Sequence, residues 1–144
     1  MEKRETTTKA LIKFAGDDLF VGITPSGHAQ VLDTNSERST AASPMELLLL
    51  ALGSCTGVDV ISILKKKRQE VRDYHIEVTG QRRPQHPRAY TEMHVRHIVR
   101  GRNLTEKAVA QAIELSEAKY CSVAATLRPT VTIVSSFEII EDTD

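Results

Sequence analysis

The chain contains no tryptophan, three tyrosines, three phenylalanines and only two cysteines among its 144 residues. So few aromatic rings leave little material for stacking on nucleic-acid bases. The formal net charge is zero, whereas a nucleic-acid-binding domain usually has a basic excess. These absences argue against a nucleic-acid partner. The basic run at residues 65–68 is better explained as a set of cations at the C-terminus of a helix.

Motifs that hold metals or phosphates are also missing. The five histidines are His28, His75, His86, His94 and His97. His94 and His97 are three residues apart in a predicted strand, so they point to opposite faces. No Cys-x-x-Cys, His-Glu-x-x-His, glycine-rich phosphate loop or Gly-x-Ser-x-Gly motif occurs. The sequence therefore predicts neither a metal nor an organic cofactor.

The distribution of apolar residues predicts a cytosolic protein. The charged N-terminus, MEKRETTTK, has no apolar segment behind it that would make a secretory signal. Residues 47–64 are apolar enough for a membrane span, but they include Asp59, which is costly at the centre of a bilayer. We interpret them as a buried helix. Because cytosolic disulfides are mostly transient or catalytic, the two cysteines are either two inert thiols or one redox pair.

The order of predicted elements indicates the fold class. Three short strands come first, and a long helix, a strand pair, a helix, a short helix and a last strand follow. Strands outnumber the positions where crossover helices could lie, which favours an α+β fold with mainly antiparallel sheets. The length and the lack of a linker predict a single domain over residues 1–144.

The long helix has a clear beginning. Ser43 is in the N-cap position, Pro44 in the first helical position and Glu46 three residues after the cap, which together form a capping box. We expect the helix to continue to about Gln69. Such a helix of roughly 26 residues is about 39 Å long, which exceeds the diameter of a domain of this size. A homodimer that shares these helices is therefore predicted.

The two cysteines differ in their expected surroundings. Cys55 is flanked by Gly53 and Gly57, which we expect to let a second helix approach closely. It lies too deep in the helix for the N-terminal dipole to activate it, so a reactive Cys55 needs a cation or donor from elsewhere. Cys121 is predicted in the first turn of a short helix, where backbone N–H groups favour a thiolate. Two buried structural thiols remain the alternative, since free cysteines are often buried. Asp59, one turn after Cys55, would oppose a thiolate.

Two segments together resemble the OsmC/Ohr superfamily. The first is SPMELLLLALGSCTGVDV, and the second, much later in the chain, is AKYCSVAATL. The similarity covers nearly the whole chain in element order and is greatest to the uncharacterised OsmC-like branch. It implies an intertwined homodimer with active sites at the subunit interface. It also implies a thiol peroxidase that prefers organic hydroperoxides, with Cys55 as the peroxidatic cysteine, Cys121 as the resolving cysteine and an external dithiol as reductant.

The resemblance further implies an arginine that stabilises the thiolate and a glutamate that holds this arginine. Arg38, in the loop before the long helix, is the candidate arginine. Glu46 is the candidate glutamate, although in the family the glutamate usually follows the proline directly, where this chain has Met45. The first hairpin turn, GDD, contains no arginine. A second hypothesis is a non-catalytic OsmC-like protein that binds a small hydrophobic ligand in the dimer cleft.

Overall fold

A computed structural model describes residues 4–143. These residues form two compact units, which meet between Leu48 and Leu49, inside the longest helix. The elements are β1 Leu11–Gly16, β2 Leu19–Ile23, β3 Ala29–Asp33, α1 Pro44–Lys66, β4 Glu70–Arg82, β5 Tyr90–Arg102, α2 Glu106–Leu115, a π-helical turn Ser116–Tyr120, α3 Ser122–Leu127 and β6 Thr132–Glu141. The predicted α+β class with mainly antiparallel sheets is confirmed.

The first unit contains a three-stranded antiparallel sheet in the order β1-β2-β3. The turn between β1 and β2 requires left-handed backbone at three successive residues: Gly16, Asp17 and Asp18 have φ values of 87°, 52° and 64°. Glycine adopts this region freely, and aspartate tolerates it better than most residues. The GDD sequence thus explains the hairpin locally, as predicted.

The predicted capping box at the start of α1 is present. The Glu46 N–H donates to Ser43 Oγ at 3.2 Å, and the Ser43 N–H donates to Glu46 Oε1 at 2.9 Å. Two backbone donors that lack a partner at a helix N-terminus are satisfied in this way. Glu46 is exposed, and its bonds to Ser43 lower the pKa of its carboxyl group.

The helix ends at Lys66, three residues before the predicted end. Arg68 is in the left-handed region, with φ of 56°. Its N–H donates to the Lys65 carbonyl, and the Gln69 N–H donates to the Leu64 carbonyl, each at 3.0 Å. These two bonds make a Schellman motif, which usually has glycine where this chain has arginine. The expected end was wrong because no glycine marks it.

The second unit contains a three-stranded sheet in the order β4-β5-β6. The predicted antiparallel pairing of β4 with β5 is confirmed, whereas β6 is parallel to β5. The core cluster combines one stripe of α1, the centre of β5 and the apolar face of α2. Its fully buried members are Val60, Leu64, Val99, Val109 and Ala112.

The two glycines of α1 face the sheet of the same chain. A Cβ atom on Gly53 would lie 3.0 Å from Val78 Cγ2, and one on Gly57 would lie 2.7 Å from Ile76 Cδ1. Both glycines therefore lie against side chains of β4 and let α1 approach this strand closely. The expectation that they receive a second helix is wrong for this chain, because β4 already occupies that side.

By length and composition, α1 could cross a membrane, but a third (33%) of its most apolar window is buried inside the protein. A core helix of a globular protein has the same composition. Helix α1 also has exposed apolar residues: Leu50 and Val58 are each 62% exposed.

Candidate functional site

The structure brings the two cysteines together. Cys55 lies in α1 and is partly buried, and Cys121 is the N-cap residue of α3 and is 3% exposed. Both are free thiols, and they lie close enough for Cys55 to raise the pKa of Cys121. Two residues that are distant in sequence thus form one dithiol site within the second unit.

Cys121 holds its proton. Burial is the main cause that raises the pKa of its thiol to about 11, and the neighbouring Cys55 and the charge of Asp59 raise it further. The Ala124 N–H donates to Cys121 Sγ at 3.4 Å and acts in the opposite direction. The predicted effect of the helix N-terminus is present in this single N–H donor, but desolvation outweighs it, so that Cys121 is not a thiolate.

A buried polar network lies between the elements that carry the cysteines. Ser116 Oγ donates to Asp59 Oδ2 at 2.8 Å and lies 3.0 Å from Thr56 Oγ1. Asp59 was a candidate from its position in the sequence, whereas neither hydroxyl group was. Thr56 and Asp59 are three residues apart and therefore share one face of α1 next to Cys55. That spacing was the available signal, whereas nothing local identified Ser116 as their partner.

Arg38 forms an ion-pair cluster within the first unit. Its Nε–H and one Nη–H donate to the two carboxylate oxygens of Asp33 at 2.8 and 2.9 Å. Its other terminal nitrogen donates to Asp17 Oδ2 at 2.8 Å. We call Asp17, Asp33, Arg38 and Thr40 the Arg38 cluster. The carboxylates of Asp33 and Asp17 raise the pKa of Arg38 well above its usual range. The guanidinium group is thus held by two carboxylates of its own unit.

Asp33 is the buried centre of this cluster. It is 2% exposed and accepts hydrogen bonds from Arg38, from the Asn35 N–H and from both the N–H and the hydroxyl of Thr40. The bond to Arg38 and then that to the Thr40 hydroxyl lower the pKa of Asp33 far below its usual range. The loop before α1 is therefore folded around a charged carboxylate.

Each unit has its own surface cavity. In the first unit, a groove of about 450 Å³ is lined almost entirely by apolar groups, from Ile12, Phe20, Leu32, Pro44 and Leu47. In the second, a cavity of about 360 Å³ is lined by Asp59, Lys66, Leu115 and Tyr120, among others. No group of three or more His, Cys, Asp or Glu side chains within residues 4–143 is arranged to hold a metal ion.

A family model for the OsmC-like protein matches residues 35–136. The chain belongs to the OsmC-like family, as the resemblance of its two cysteine segments predicted. It is 43% identical over 132 residues to the protein YhfA of Escherichia coli K12, which spans 92% of this chain and 98% of that protein.

Solved structures agree with this assignment. A hypothetical protein from Aquifex aeolicus VF5 is 36% identical, with a TM-score of 0.85, over 96% of this chain and all (100%) of that one. The organic hydroperoxide resistance protein OhrB of Bacillus subtilis shares the fold, with a TM-score of 0.64 at 14% identity, over 92% of this chain and 98% of that one.

Proposed function

We propose that this protein is a cytosolic thiol peroxidase that reduces organic hydroperoxides. The observation that carries the proposal is the proximity of Cys55 to Cys121 in a chain of the OsmC-like family. The fold shared with an organic hydroperoxide resistance protein supports the same class of substrate.

The proposed reaction begins with Cys55. Its thiolate attacks the terminal oxygen of the hydroperoxide and the O–O bond breaks, so that Cys55 becomes a sulfenic acid, and the leaving alkoxide takes up a proton from the solvent and departs as the alcohol. The Cys121 thiol then attacks the Cys55 sulfur, an S–S bond forms, and water leaves. An external dithiol returns both cysteines to thiols and is itself oxidised to a disulfide.

The ionisation of Cys121 supports this order of roles. A thiol with a pKa of about 11 remains protonated at neutral pH, which suits a residue that waits for the sulfenic acid. Cys55 is the more accessible of the two cysteines, so a hydroperoxide reaches it first.

Arg38 remains the proposed thiolate-stabilising cation and Glu46 its proposed support. For this role the Arg38 guanidinium would have to leave Asp33 and Asp17, which hold all three of its nitrogens. The substitution Arg38→Met tests the assignment. A loss of the rate of peroxide consumption at unchanged thermal stability supports catalysis, and a loss of stability at unchanged rate supports a purely structural role.

The proposal includes a homodimer. The exposed apolar side chains of Leu50 and Val58 on α1 are the observation that favours it, since such a helix face is usually covered. Light scattering after gel filtration should give twice the mass of the chain, and Val58→Glu should give the mass of one chain.

The activity is tested by intact mass and thiol titration after one equivalent of cumene hydroperoxide. We expect two thiols to be lost and the mass to fall by about 2 Da per chain. Cys121→Ser should instead gain about 16 Da as a sulfenic acid. Unchanged thiols, or turnover that survives Cys55→Ser, contradict the mechanism.

The apolar groove of the first unit favours a second candidate function, the binding of a small hydrophobic ligand without catalysis. Thermal stabilisation by fatty acids or aromatic compounds, together with absent peroxide turnover, would distinguish it. A substitution of Phe20 in the groove should then abolish the stabilisation.

A further inference from the structure

Three polar side chains form a hydrogen-bonded chain beside the dithiol. Thr56 and Ser116 are 3% and 0% exposed, and Asp59 is partly buried. The distances are 3.0 Å from Thr56 Oγ1 to Ser116 Oγ and 2.8 Å from Ser116 Oγ to Asp59 Oδ2. Since a buried hydroxyl group is costly unless it is hydrogen-bonded, each of these three side chains depends on the other two.

The direction of the hydrogen bonds follows from the number of protons. An ionised carboxylate only accepts, so Ser116 donates its single hydroxyl proton to Asp59. Ser116 then has no proton left for Thr56, and the Thr56 hydroxyl must be the donor to Ser116 Oγ. The Ser116 side chain is thereby fixed from both sides by residues of the helix that carries Cys55.

The main chain of Ser116 extends this connection to the second cysteine. The Cys121 N–H donates to the Ser116 carbonyl oxygen at 2.8 Å, which closes the π-helical turn Ser116–Tyr120. Single π-helical turns are rare and occur often at functional sites. The turn replaces a regular helical connection directly before Cys121, so Ser116 determines where α3 and its N-cap thiol begin.

We propose that Ser116 is a positioning residue for the disulfide step, and that Thr56 and Asp59 hold it through its hydroxyl group. Its carbonyl group holds the Cys121 amide, and the thiol of Cys121 thereby stays against Cys55. The step served is the attack of the Cys121 thiol on the Cys55 sulfenic acid, with release of water. The inference rests on the proposed function only for the origin of that sulfenic acid.

Positioning is valuable here because the step joins two groups of one chain. Holding two reactants in the correct geometry gives effective concentrations far above those of free reactants in solution. A resolving thiol that drifts away leaves the sulfenic acid exposed to further peroxide and to irreversible oxidation. Loss of the network should therefore reduce disulfide formation more than it reduces the first reaction with peroxide.

The test measures the equilibrium of the dithiol with glutathione, which needs no peroxidase activity. The reduced protein and oxidised glutathione give the Cys55–Cys121 disulfide and two reduced glutathione molecules, and the ratio is read by acid quenching, alkylation and intact mass. We expect Ser116→Ala to lower the equilibrium constant at least tenfold. Thr56→Val, which keeps the shape but removes the donor, should lower it by about threefold.

Two controls separate positioning from packing. Thr56→Ser keeps the hydroxyl donor and should retain the wild-type constant, and Ser122→Ala removes an exposed hydroxyl next to Cys121 and should do the same. If Ser116→Ala does not fold, the pair Thr56→Val and Thr56→Ser carries the test. A wild-type constant in Thr56→Val, or an equal loss in Thr56→Ser, overturns the proposal. Because glutathione supplies the oxidising equivalents, a failure of the peroxidase proposal would show separately, as unchanged thiols after hydroperoxide.

Discussion

The Arg38 cluster of the first unit and the dithiol site of the second both bury an ionisable group, but the buried group is charged in the first and neutral in the second. Asp33 is buried and charged, since a guanidinium group, a hydroxyl and two backbone N–H groups point at it. Cys121 is buried and neutral, since its one N–H donor is outweighed by desolvation and by the nearby charge of Asp59. Equal burial thus leads to different ionisation, according to the number of partners that favour the charged form.

His97 in the core of the second unit belongs with Cys121 in this comparison. It is fully buried, the Tyr74 hydroxyl lies 2.6 Å from its Nδ1, and its Nε2 has no hydrogen-bond partner in the described structure. Burial lowers the pKa of His97 to about 4 and raises the pKa of Tyr74 above its usual range. Both groups are therefore neutral at pH 7.

The largest effect is expected from Asp33→Asn. The substitution keeps the shape of the side chain but removes the charge that compensates Arg38, and breaking a buried ion pair is strongly destabilising. We expect Tm to fall by about 10 °C in thermal unfolding. The matched control is Asp17→Asn, which removes the second carboxylate of the same arginine. Because the Asp17 side chain is 85% exposed, a shift of less than about 2 °C is expected there. Equal shifts for both variants would contradict the contrast.

The next effect concerns the reactivity of Cys121. With a pKa of about 11, the fraction of its thiolate at pH 8 is roughly 200-fold below that of an ordinary cysteine. Alkylation by iodoacetamide, followed by peptide mass mapping, should therefore modify Cys121 on the order of a hundredfold more slowly than glutathione. The Cys55→Ser variant is the control for the contact between the thiols. A Cys121 that reacts as fast as glutathione would show that burial does not govern it.

A smaller effect on the free energy of unfolding is expected when the pH is lowered. In the unfolded chain His97 takes up a proton near pH 6.5, whereas in the folded protein it does so only near pH 4. The unfolded state therefore binds more protons between these values, and the free energy of unfolding falls by up to about 3 kcal/mol as the pH decreases from 6.5 to 4. Urea unfolding at several pH values measures this fall. In the His97→Leu variant this fall in the free energy of unfolding should be absent. An unchanged pH dependence would show that His97 is not its cause.

The smallest effect on Tm is expected from substitutions at the start of α1. Glu46→Ala removes one half of the capping box and should lower Tm by only a few degrees. Glu46→Gln retains an acceptor for the Ser43 N–H and should lie between this variant and the wild type. Differential scanning calorimetry can separate the three proteins. If Glu46→Gln is as unstable as Glu46→Ala, the charge of Glu46 matters more than its hydrogen bond.

Features that depend on residues close together in the sequence were predictable. The cap of α2 is an example: Thr105 follows the rule for N-cap residues, and its Oγ1 accepts the Ala108 N–H at 3.2 Å. The strand pair of β4 and β5 followed from alternating residues, and the resemblance of the two cysteine segments predicted the family. In each case the information lies within a few residues or within a short motif.

The sequence alone was enough to predict the element order, the start of α1, the family and the two candidate cysteines. The tertiary structure was needed to show that Cys55 and Cys121 lie close together, that Cys121 stays protonated, and that Arg38 pairs with Asp33. It also decided that Gly53 and Gly57 face β4. The physical reason is that ionisation and close packing depend on desolvation and on partners that are distant in sequence, and no local pattern carries these quantities.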